Sequence, residues 1–590
     1  MSLFTNKTKF DRTKVFTYLG FSLVNLLFMH YYFVYMSLYV GKMFFFTPIY
    51  NFLFIIFDLA IILLFSFCFT FGRLNLSILL TYIITLLWSF TNVLYCRFFY
   101  QGLSLSAISQ AGNVFDGIVW QSILGGFKWI DLFFIISPIL FSIIWTIKNK
   151  REEICKHFNY RKTLFIIVSI PFLSFFTAFL IYAAYHLTSS HYRNHPELFF
   201  PRLNETLIDP FIWKSSMPVN VHFSSGSIRF IFSDIIDEIT NYELSTKEKE
   251  EIESFYTDYQ QRKTVHSQHT IKNVIFILLE SFLSSSIDLS VDGKEITPFL
   301  NKLKRDSTIY YNSKIHPNIT IGESGDGQLI YMTGLLPLRN KITVGVAKNR
   351  KLKGLPQILK DKFNIKYTEI VIPSSPVVWE QRYMNEQYGI DKMFSAADVG
   401  SVSSFLINEE TVFCLAKKTK KEAKQPFFSM VLGVSTHQPY DRPIDKSFLI
   451  STNYYPTPYQ NYLIACHYVD KQIDKYFNYL HQKGIYDNSL IIITSDHHPH
   501  IDQLDMKKKL TTDLPLYIIN SGINIQNMHH GYANQLDVYT TILDILGINN
   551  KWLGLGHTLL STPYSNSVSE RTYELSEKII LGDFFKETHQ

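Results

Sequence analysis

A chain of 590 residues is too long for one ordinary domain, and its 18% charged residues fall below the roughly 25% of a typical soluble protein. Its net charge of +6 is small for the length, and no basic stretch interleaved with aromatics forms a nucleic-acid surface, so nucleic acid is excluded as a partner. The hydrophobic excess, 47% of residues overall, is concentrated toward the N-terminus.

Five apolar runs precede residue 190: Val15–Leu38, Tyr50–Phe71, Leu76–Tyr95, Asp131–Ile147 and Thr163–His186. Each is near the ~20 residues that cross a bilayer as a helix, so an α-helical transmembrane domain of five helices is expected over residues 1–186. The fourth run is the shortest and contains Pro138, which membrane helices tolerate. The first is too long, and lacks the small-residue cleavage site, for a removable signal peptide. Lys7, Lys9, Arg12 and Lys14 before the first run place the N-terminus in the cytoplasm. The basic loop from Lys148 to Lys162 then also lies inside, and five spans put everything after His186 outside. This is a multi-pass protein of the cell (inner) membrane with an extracytoplasmic outer part. Of the five cysteines only Cys414 and Cys466 fall in that part, either as one disulfide or as two buried thiols.

Residues 187–270 form a polar junction with Pro196, Pro201 and Pro210, followed by amphipathic helices. Ser245 with Glu248 three residues later is a capping box at the start of one of them. From 271 to 590 the pattern changes. "NVIFILLE", "YTEIVI", "FFSMVLGVS", "SLIIIT" and "LPLYII" are short continuous apolar runs, as expected of strands buried on both faces. Helical stretches separate them, which predicts an α/β domain with a mostly parallel central sheet.

Three of these strands run into chemistry. "NVIFILLE" ends at Glu280, "SLIIITS" runs into Asp496 and His497, and "FFSMVLGVS" is followed by His437. Ligands of open α/β sheets gather at the carboxyl ends of strands. A carboxylate that directly follows a buried strand is costly unless paired or bound to a cation. Glu280, Asp496 and His497 supply two hard oxygen ligands and one imidazole, a set suited to zinc or manganese. "NITIGESGDGQ", from Asn318 to Gln328, places Ser324 among three glycines at the start of a helix, where N–H groups face an anion. A divalent cation beside it lowers the pKa of the serine hydroxyl and stabilises its alkoxide. His498 and His500 read as a solvated loop, and His530 as remote from the site.

These motifs, in this order, resemble the alkaline phosphatase and sulfatase superfamily, and most closely its lipoteichoic acid synthase branch of membrane phosphoglycerol transferases. The resemblance runs from about 270 to 560, and the branch's five membrane helices extend it over nearly the whole chain. "NVIFILLESF" is similar to the first metal-ligand motif, "GESGDGQ" to the nucleophile loop, and "TSDHH" to the aspartate–histidine motif. "SMVLGVSTHQPY" resembles the segment carrying an active-site histidine, and "QLDVYTTILDILGI" a late structural motif. The resemblance implies a sulfatase-like extracytoplasmic catalytic domain with one divalent ion (manganese, zinc or magnesium) held by Glu280, Ser324, Asp496 and His497. It implies Ser324 as nucleophile, at a position where the family usually has threonine, and His437 as a catalytic and substrate-binding residue. Trp379 and Arg382 fall near the head-group site, but Gln381 stands where the synthases have an arginine, so the head group is open between phosphoglycerol and phosphoethanolamine types.

The implied reaction is transfer of a phosphorylated head group from a membrane phospholipid donor, through phospho-Ser324, to a glycan, lipid or polymer acceptor. The rival readings are a sulfatase-like hydrolase or phosphodiesterase of the same fold, and a non-catalytic membrane scaffold. Ser324 is not followed by x-Pro-x-Arg, so the formylglycine maturation signal of sulfatases is missing.

Overall fold

The computed structural model describes residues 12–39, 48–99, 102–104, 128–149, isolated positions between 168 and 235, 242–260, and 271–589 apart from short stretches, the longest of them 400–406. The chain divides into two compact units, the second taking up the chain from Tyr242.

The first unit contains the helices Arg12–Tyr39, Pro48–Phe69, Leu74–Phe99 and Leu132–Asn149. Among the described residues three stretches, not five, are long and apolar enough to cross a membrane: Phe52–Phe69, Leu74–Arg97 and Trp129–Ile147. The first apolar run does fold as a helix. However, Ser22, Asn25 and His30, with Tyr18, Tyr31, Tyr32 and Tyr35, dilute its apolar character, and it is not among the three. The fifth run lies outside the described residues apart from isolated positions. The fourth stays helical through Pro138.

These helices pack through Leu26, Met29, Phe33, Ile55, Val93 and Phe134, and through Tyr82 stacked on Phe141 with ring centroids 3.8 Å apart. One ion pair is buried among them. Arg97 Nη1 and Nη2 donate to Asp131 Oδ2 and Oδ1, each at 2.7 Å, and Nε donates to the Tyr32 hydroxyl at 2.8 Å. Both charged side chains are buried.

In the second unit the apolar runs become strands: β1 (Asn273–Leu279), β2 (Ser290–Val291), β3 (Lys294–Glu295), β4 (Tyr310–His316), β5 (Tyr367–Val371), β6 (Lys392–Phe394), β7 (Phe427–Leu432), β8 (Ser489–Ser495), β9 (Leu514–Ile519) and β10 (Ala533–Asn534). β2 and β3 make a small hairpin, and the other eight form one sheet in the order β10-β4-β9-β8-β1-β7-β5-β6. β1, β8 and β9 are buried along their whole length, as continuous apolar runs require.

The sheet is mixed, which corrects the mostly parallel expectation. β9 pairs antiparallel with both β4 and β8. The link 496–513 carries no α-helix among its described residues, and an antiparallel return needs no helical crossover. β8, β1, β7 and β5 are mutually parallel neighbours, so their carboxyl ends emerge at one edge. β4 points the same way, because two antiparallel pairings separate it from β8.

The expected capping box forms at the helix Thr246–Gln260, where Ser245 N donates to Glu248 Oε2 at 3.0 Å. That helix lies against the helix Glu570–Leu581 through a 2.8 Å contact from Lys578 Nζ to Glu251 Oε2. Cys414 and Cys466 are both unpaired.

Removing one partner from a buried ion pair strands the other charge, at a cost of about 3–5 kcal/mol. Arg97→Leu should therefore sharply lower the thermal stability of the detergent-solubilised protein. Adding Asp131→Leu should restore much of the loss, because no unpaired charge remains. A double variant as unstable as the single one would count against the ion pair as the source.

Candidate metal and nucleophile site

Strand register builds the first half of the site. Leu279 of β1 pairs with Ser495 of β8, so the residues that follow, Glu280 and Asp496, leave the sheet side by side. Ser281 then adopts a positive φ of 48° and turns its N–H onto Asp496 Oδ1 at 2.9 Å, while its hydroxyl donates to Glu280 Oε1 at 2.7 Å. His497 N–H donates to the same Asp496 Oδ1 at 2.7 Å. The His497 ring is set by Nδ1, which donates to the His498 carbonyl at 2.8 Å and leaves Nε2 facing the carboxylates. Nε2 lies 3.2 Å from Glu280 Oε1 and 3.6 Å from Asp496 Oδ2. One ligand atom from each of the three side chains lies within 4.8 Å of the others, and all three are buried.

The helix Glu323–Thr333 supplies the other half. Asp326 Oδ2 accepts from Thr320 N at 2.9 Å and Gly322 N at 2.8 Å, which ties down the turn that precedes it. Glu323 takes a positive φ of 43° and delivers Ser324 to the triad. Ser324 Oγ lies 3.1 Å from His497 Nε2 and 3.3 Å from Glu280 Oε2. The approach requires glycine at 327, where a Cβ would run into the backbone carbonyl of Asp496.

Two contributors lie inside the quoted motifs but are not among the residues singled out there. Gln535 is fully buried; its Nε2 donates to the Asp496 carbonyl at 2.7 Å, and its Oε1 accepts from Asn318 N at 3.0 Å. It therefore joins the start of the loop leading to Ser324 to the end of β8 that carries Asp496. Glu323 Oε2 lies 3.5 Å from His497 Nδ1.

The electrostatics call for a cation. Burial, and then the charge of Glu280, push the Asp496 carboxyl up to about 8, and burial pushes Glu323 up to about 7. Burial alone would lower the His497 pKa, but Asp496 and Glu280 outweigh it and raise it. Burial would likewise raise Glu280, yet His497 outweighs it and pulls Glu280 down. The His497 imidazolium is thus the main positive charge set among these buried carboxyls. Two carboxylates and an imidazole converging in this way fit a divalent ion of the zinc or manganese kind.

The remaining candidates differ in placement. His437 follows β7; its Nδ1 contacts the Gln438 carbonyl at 2.6 Å, and its charge is felt by Glu280. Trp379 follows β5, and its ring packs over Gly325, where a Cβ would stand 3.3 Å from the ring. Arg382 is exposed on the helix Gln381–Tyr388 and makes no hydrogen bond or ion pair with the other candidates. Gln381 is buried instead, its Nε2 donating to Gln328 Oε1 at 2.6 Å. His498 and His500 are half-buried rather than solvated, and burial lowers their pKa to about 4 and about 3. His530 is exposed and contacts the Ile525 carbonyl, away from the triad.

If the triad holds a divalent ion, manganese or zinc at 100 times its Kd should stabilise the purified protein by about 2.7 kcal/mol, read as a rise in Tm. Glu280→Ala, Asp496→Ala and His497→Ala should each abolish that rise. Gly327→Ala should weaken it and cost roughly 1–3 kcal/mol in stability by overpacking. An unchanged rise in all three alanine variants would mean the ion is held elsewhere.

Comparison with known proteins agrees with this architecture. Residues 272–548 match the family described as Sulfatase, and residues 1–206 match the Lipoteichoic acid synthase N-terminal domain. Lipoteichoic acid synthase 2 of Bacillus subtilis is 27% identical over 511 residues, covering 82% of this chain and 74% of its own. Lipoteichoic acid synthase of Staphylococcus saprophyticus is 25% identical over 514 residues, covering 83% and 75%. Among solved structures, the integral membrane lipooligosaccharide phosphoethanolamine transferase A of Neisseria meningitidis shares the fold at a TM-score of 0.51 and 12% identity, over 91% of this chain and 96% of that one. The chain is a homologue of the lipoteichoic acid synthases: a multi-pass membrane protein whose extracytoplasmic catalytic domain matches the Sulfatase family.

Proposed function

We propose that this protein moves a phosphorylated head group, of phosphoglycerol or phosphoethanolamine type, from a membrane phospholipid to a hydroxyl of a glycan, lipid or polymer. The reading rests above all on Ser324 Oγ, held 3.1 Å from His497 Nε2 and 3.3 Å from Glu280 Oε2 at a charge-hungry triad. A divalent ion held by Glu280, Asp496 and His497 would supply the positive charge that favours a serine alkoxide and neutralises phosphoryl oxygens.

The chain's own residues divide the remaining work. Ser324 Oγ, as its alkoxide, forms a bond to the donor phosphorus, and the bond from phosphorus to the diacylglycerol oxygen breaks. Protonated His437 gives its proton to that leaving oxygen, so diacylglycerol departs as the alcohol. Neutral His437 then takes the proton of the acceptor hydroxyl, whose oxygen attacks phosphorus as the Ser324 Oγ–P bond breaks. Serine and histidine return to their starting states. Trp379, over Gly325, forms a wall beside the nucleophile against which a head group can rest. The side chain at 381 presents a neutral amide already engaged with Gln328, which supports a head-group preference different from that of an arginine-bearing polymerase.

Confining the enzyme to the bilayer raises the effective concentration of a lipid donor at the site. An intact triad also has no purpose in a mere scaffold, where buried carboxylates only cost stability.

The full chain in vesicles of phosphatidylglycerol or phosphatidylethanolamine should release diacylglycerol from one of them. Rapid-quench peptide mapping should find the phospho-head-group on the peptide containing Ser324. Ser324→Ala should lower turnover by roughly 10³-fold or more, as losses of catalytic nucleophiles do. Ser324→Thr should keep part of the activity. Turnover by Ser324→Ala with no adduct on the wild-type peptide would overturn the covalent scheme. Free phosphorylated head group accumulating in the presence of a hydroxyl acceptor would instead favour a phosphodiesterase.

A further inference from the structure

Glu409 is fully buried at the first position of the helix Glu409–Thr419, yet its carboxyl group is engaged chiefly outside that helix. Asn408 already caps the helix, its Oδ1 accepting from Thr411 N at 3.1 Å. The carboxylate reaches instead to the loop that follows β7. Its Oε1 accepts from Val434 N at 2.6 Å and Ser435 N at 2.8 Å, and its Oε2 accepts from Ser435 N at 2.9 Å.

That loop carries His437. Its turn is closed by His437 N donating to the Val434 carbonyl at 2.8 Å, so the amide held by Glu409 and the histidine belong to one turn. On the opposite side the Thr436 hydroxyl donates to the Glu280 carbonyl, and the Tyr440 hydroxyl donates to the Thr436 carbonyl at 3.0 Å. Between the two anchors space is tight. A Cβ at Gly433 would stand 3.1 Å from Glu409 Oε1 and 3.2 Å from Glu280 N. The loop is thus clamped between a buried carboxylate and the backbone of a triad residue.

A buried carboxyl is an expensive way to hold a loop: burial pushes Glu409 up to about 7 while the Val434 and Ser435 N–H groups favour its ionised form, and an ionised acceptor holds backbone N–H groups more firmly than a neutral one. We propose that Glu409 is a positioning residue: it fixes the 433–437 turn so that His437 stays at the proton-transfer position beside Ser324. The proposal rests on the role given to His437 under the proposed function, but the clamp itself is a matter of structure and is tested separately.

Two measurements on the full-length protein in detergent or vesicles decide it. The first is hydrogen exchange read by mass spectrometry. Glu409→Ala should speed exchange of the peptide spanning Val434–Gln438 by roughly tenfold or more, the scale of one charged hydrogen bond lost. Peptides carrying Ser324 and Asp496 should exchange as in the wild type. Glu409→Gln keeps one acceptor oxygen and should fall between the two. The second is donor turnover. Misplacing a catalytic group by about 1 Å costs on the order of 100-fold, so kcat should fall by that factor in Glu409→Ala with KM little changed. Glu409→Gln should recover part of it. The variant that combines Glu409→Ala with His437→Ala should be no slower than His437→Ala alone, because the first change acts only through the second residue.

Unchanged exchange at 434–438 would overturn the clamp. Faster exchange with fully additive losses in kcat would overturn the positioning role and leave Glu409 a stability residue. A wild-type protein that turns over no donor would sink the transferase reading, while the exchange data would still decide the clamp.

Discussion

The site depends on one close approach, the seat of the helix Glu323–Thr333 on the end of β8. A Cβ at position 327 would collide with the Asp496 carbonyl, so the helix can rest there only because Gly327 has none. Gln535 reinforces the seat by donating to the same carbonyl while accepting from Asn318 N at the start of the nucleophile loop. Everything chemical follows from that contact. Ser324 comes within 3.3 Å of Glu280 and 3.1 Å of His497 only because its helix is so close to the strand. A side chain there would push the two halves apart, and about 1 Å of misplacement suffices to cost a site roughly 100-fold in rate.

The same geometry concentrates charge. Glu280 and Asp496 leave adjacent parallel strands in register, and Glu323 comes in from the nucleophile helix. Sheet topology therefore forces buried carboxyls together, and their mutual repulsion is relieved chiefly by His497, with a smaller contribution from His437 at Glu280. In a site of this kind cation binding and folding stability are linked, because binding relieves a cost that the folded chain already carries. Burial of His498 and His500 as neutral imidazoles extends the desolvated zone beyond the triad without adding charge.

Glu280, Asp496 and His497 were legible in the sequence because each follows an uninterrupted apolar strand, where an ionisable side chain is conspicuous. Ser324 was legible because glycines surround it. Strand direction was not: "LPLYII" has the composition of a parallel strand buried on both faces, and apolar continuity is the same whichever way β9 runs. The membrane count of five stands at three among the described residues, which leave out most of the fifth run. The run from Val15 to Leu38 has a spanning length, but its hydroxyl, amide and imidazole groups separate it from the more apolar helices after it. Glu409 left no trace, and Gln535 stood at the head of a recognised motif without its role being readable, because each bonds to backbone far away in sequence, and such bonds impose no local pattern. His498 and His500 read as solvated because a cluster of polar residues after a strand looks the same whether the loop faces water or folds over the site.

The Trp379 side of the site is built differently from the triad side. Trp379 and Glu380 both adopt positive φ, 52° and 54°, a conformation that costs non-glycine residues of order 1–3 kcal/mol each. The surrounding contacts hold them there. Lys348 Nζ pairs with Glu380 Oε1 at 2.7 Å, and Gln381 bridges Gln328 and Asn385 through amide hydrogen bonds of 2.6 and 2.8 Å. Gln328 lies one helical turn beyond Ser324, so the strained turn is fastened to the nucleophile helix itself. The Trp379 ring presses on Gly325 of that same helix. The Trp379 ring is therefore fixed relative to Ser324 by side chains other than those of the triad. Changes at 379–385 can reshape that side of the site while leaving the register of β1 and β8, and with it Glu280, Asp496 and His497, unaltered. On the proposed function, a fold arranged this way would keep the phosphoryl chemistry constant in the strand ends and let head-group preference vary in one strained turn.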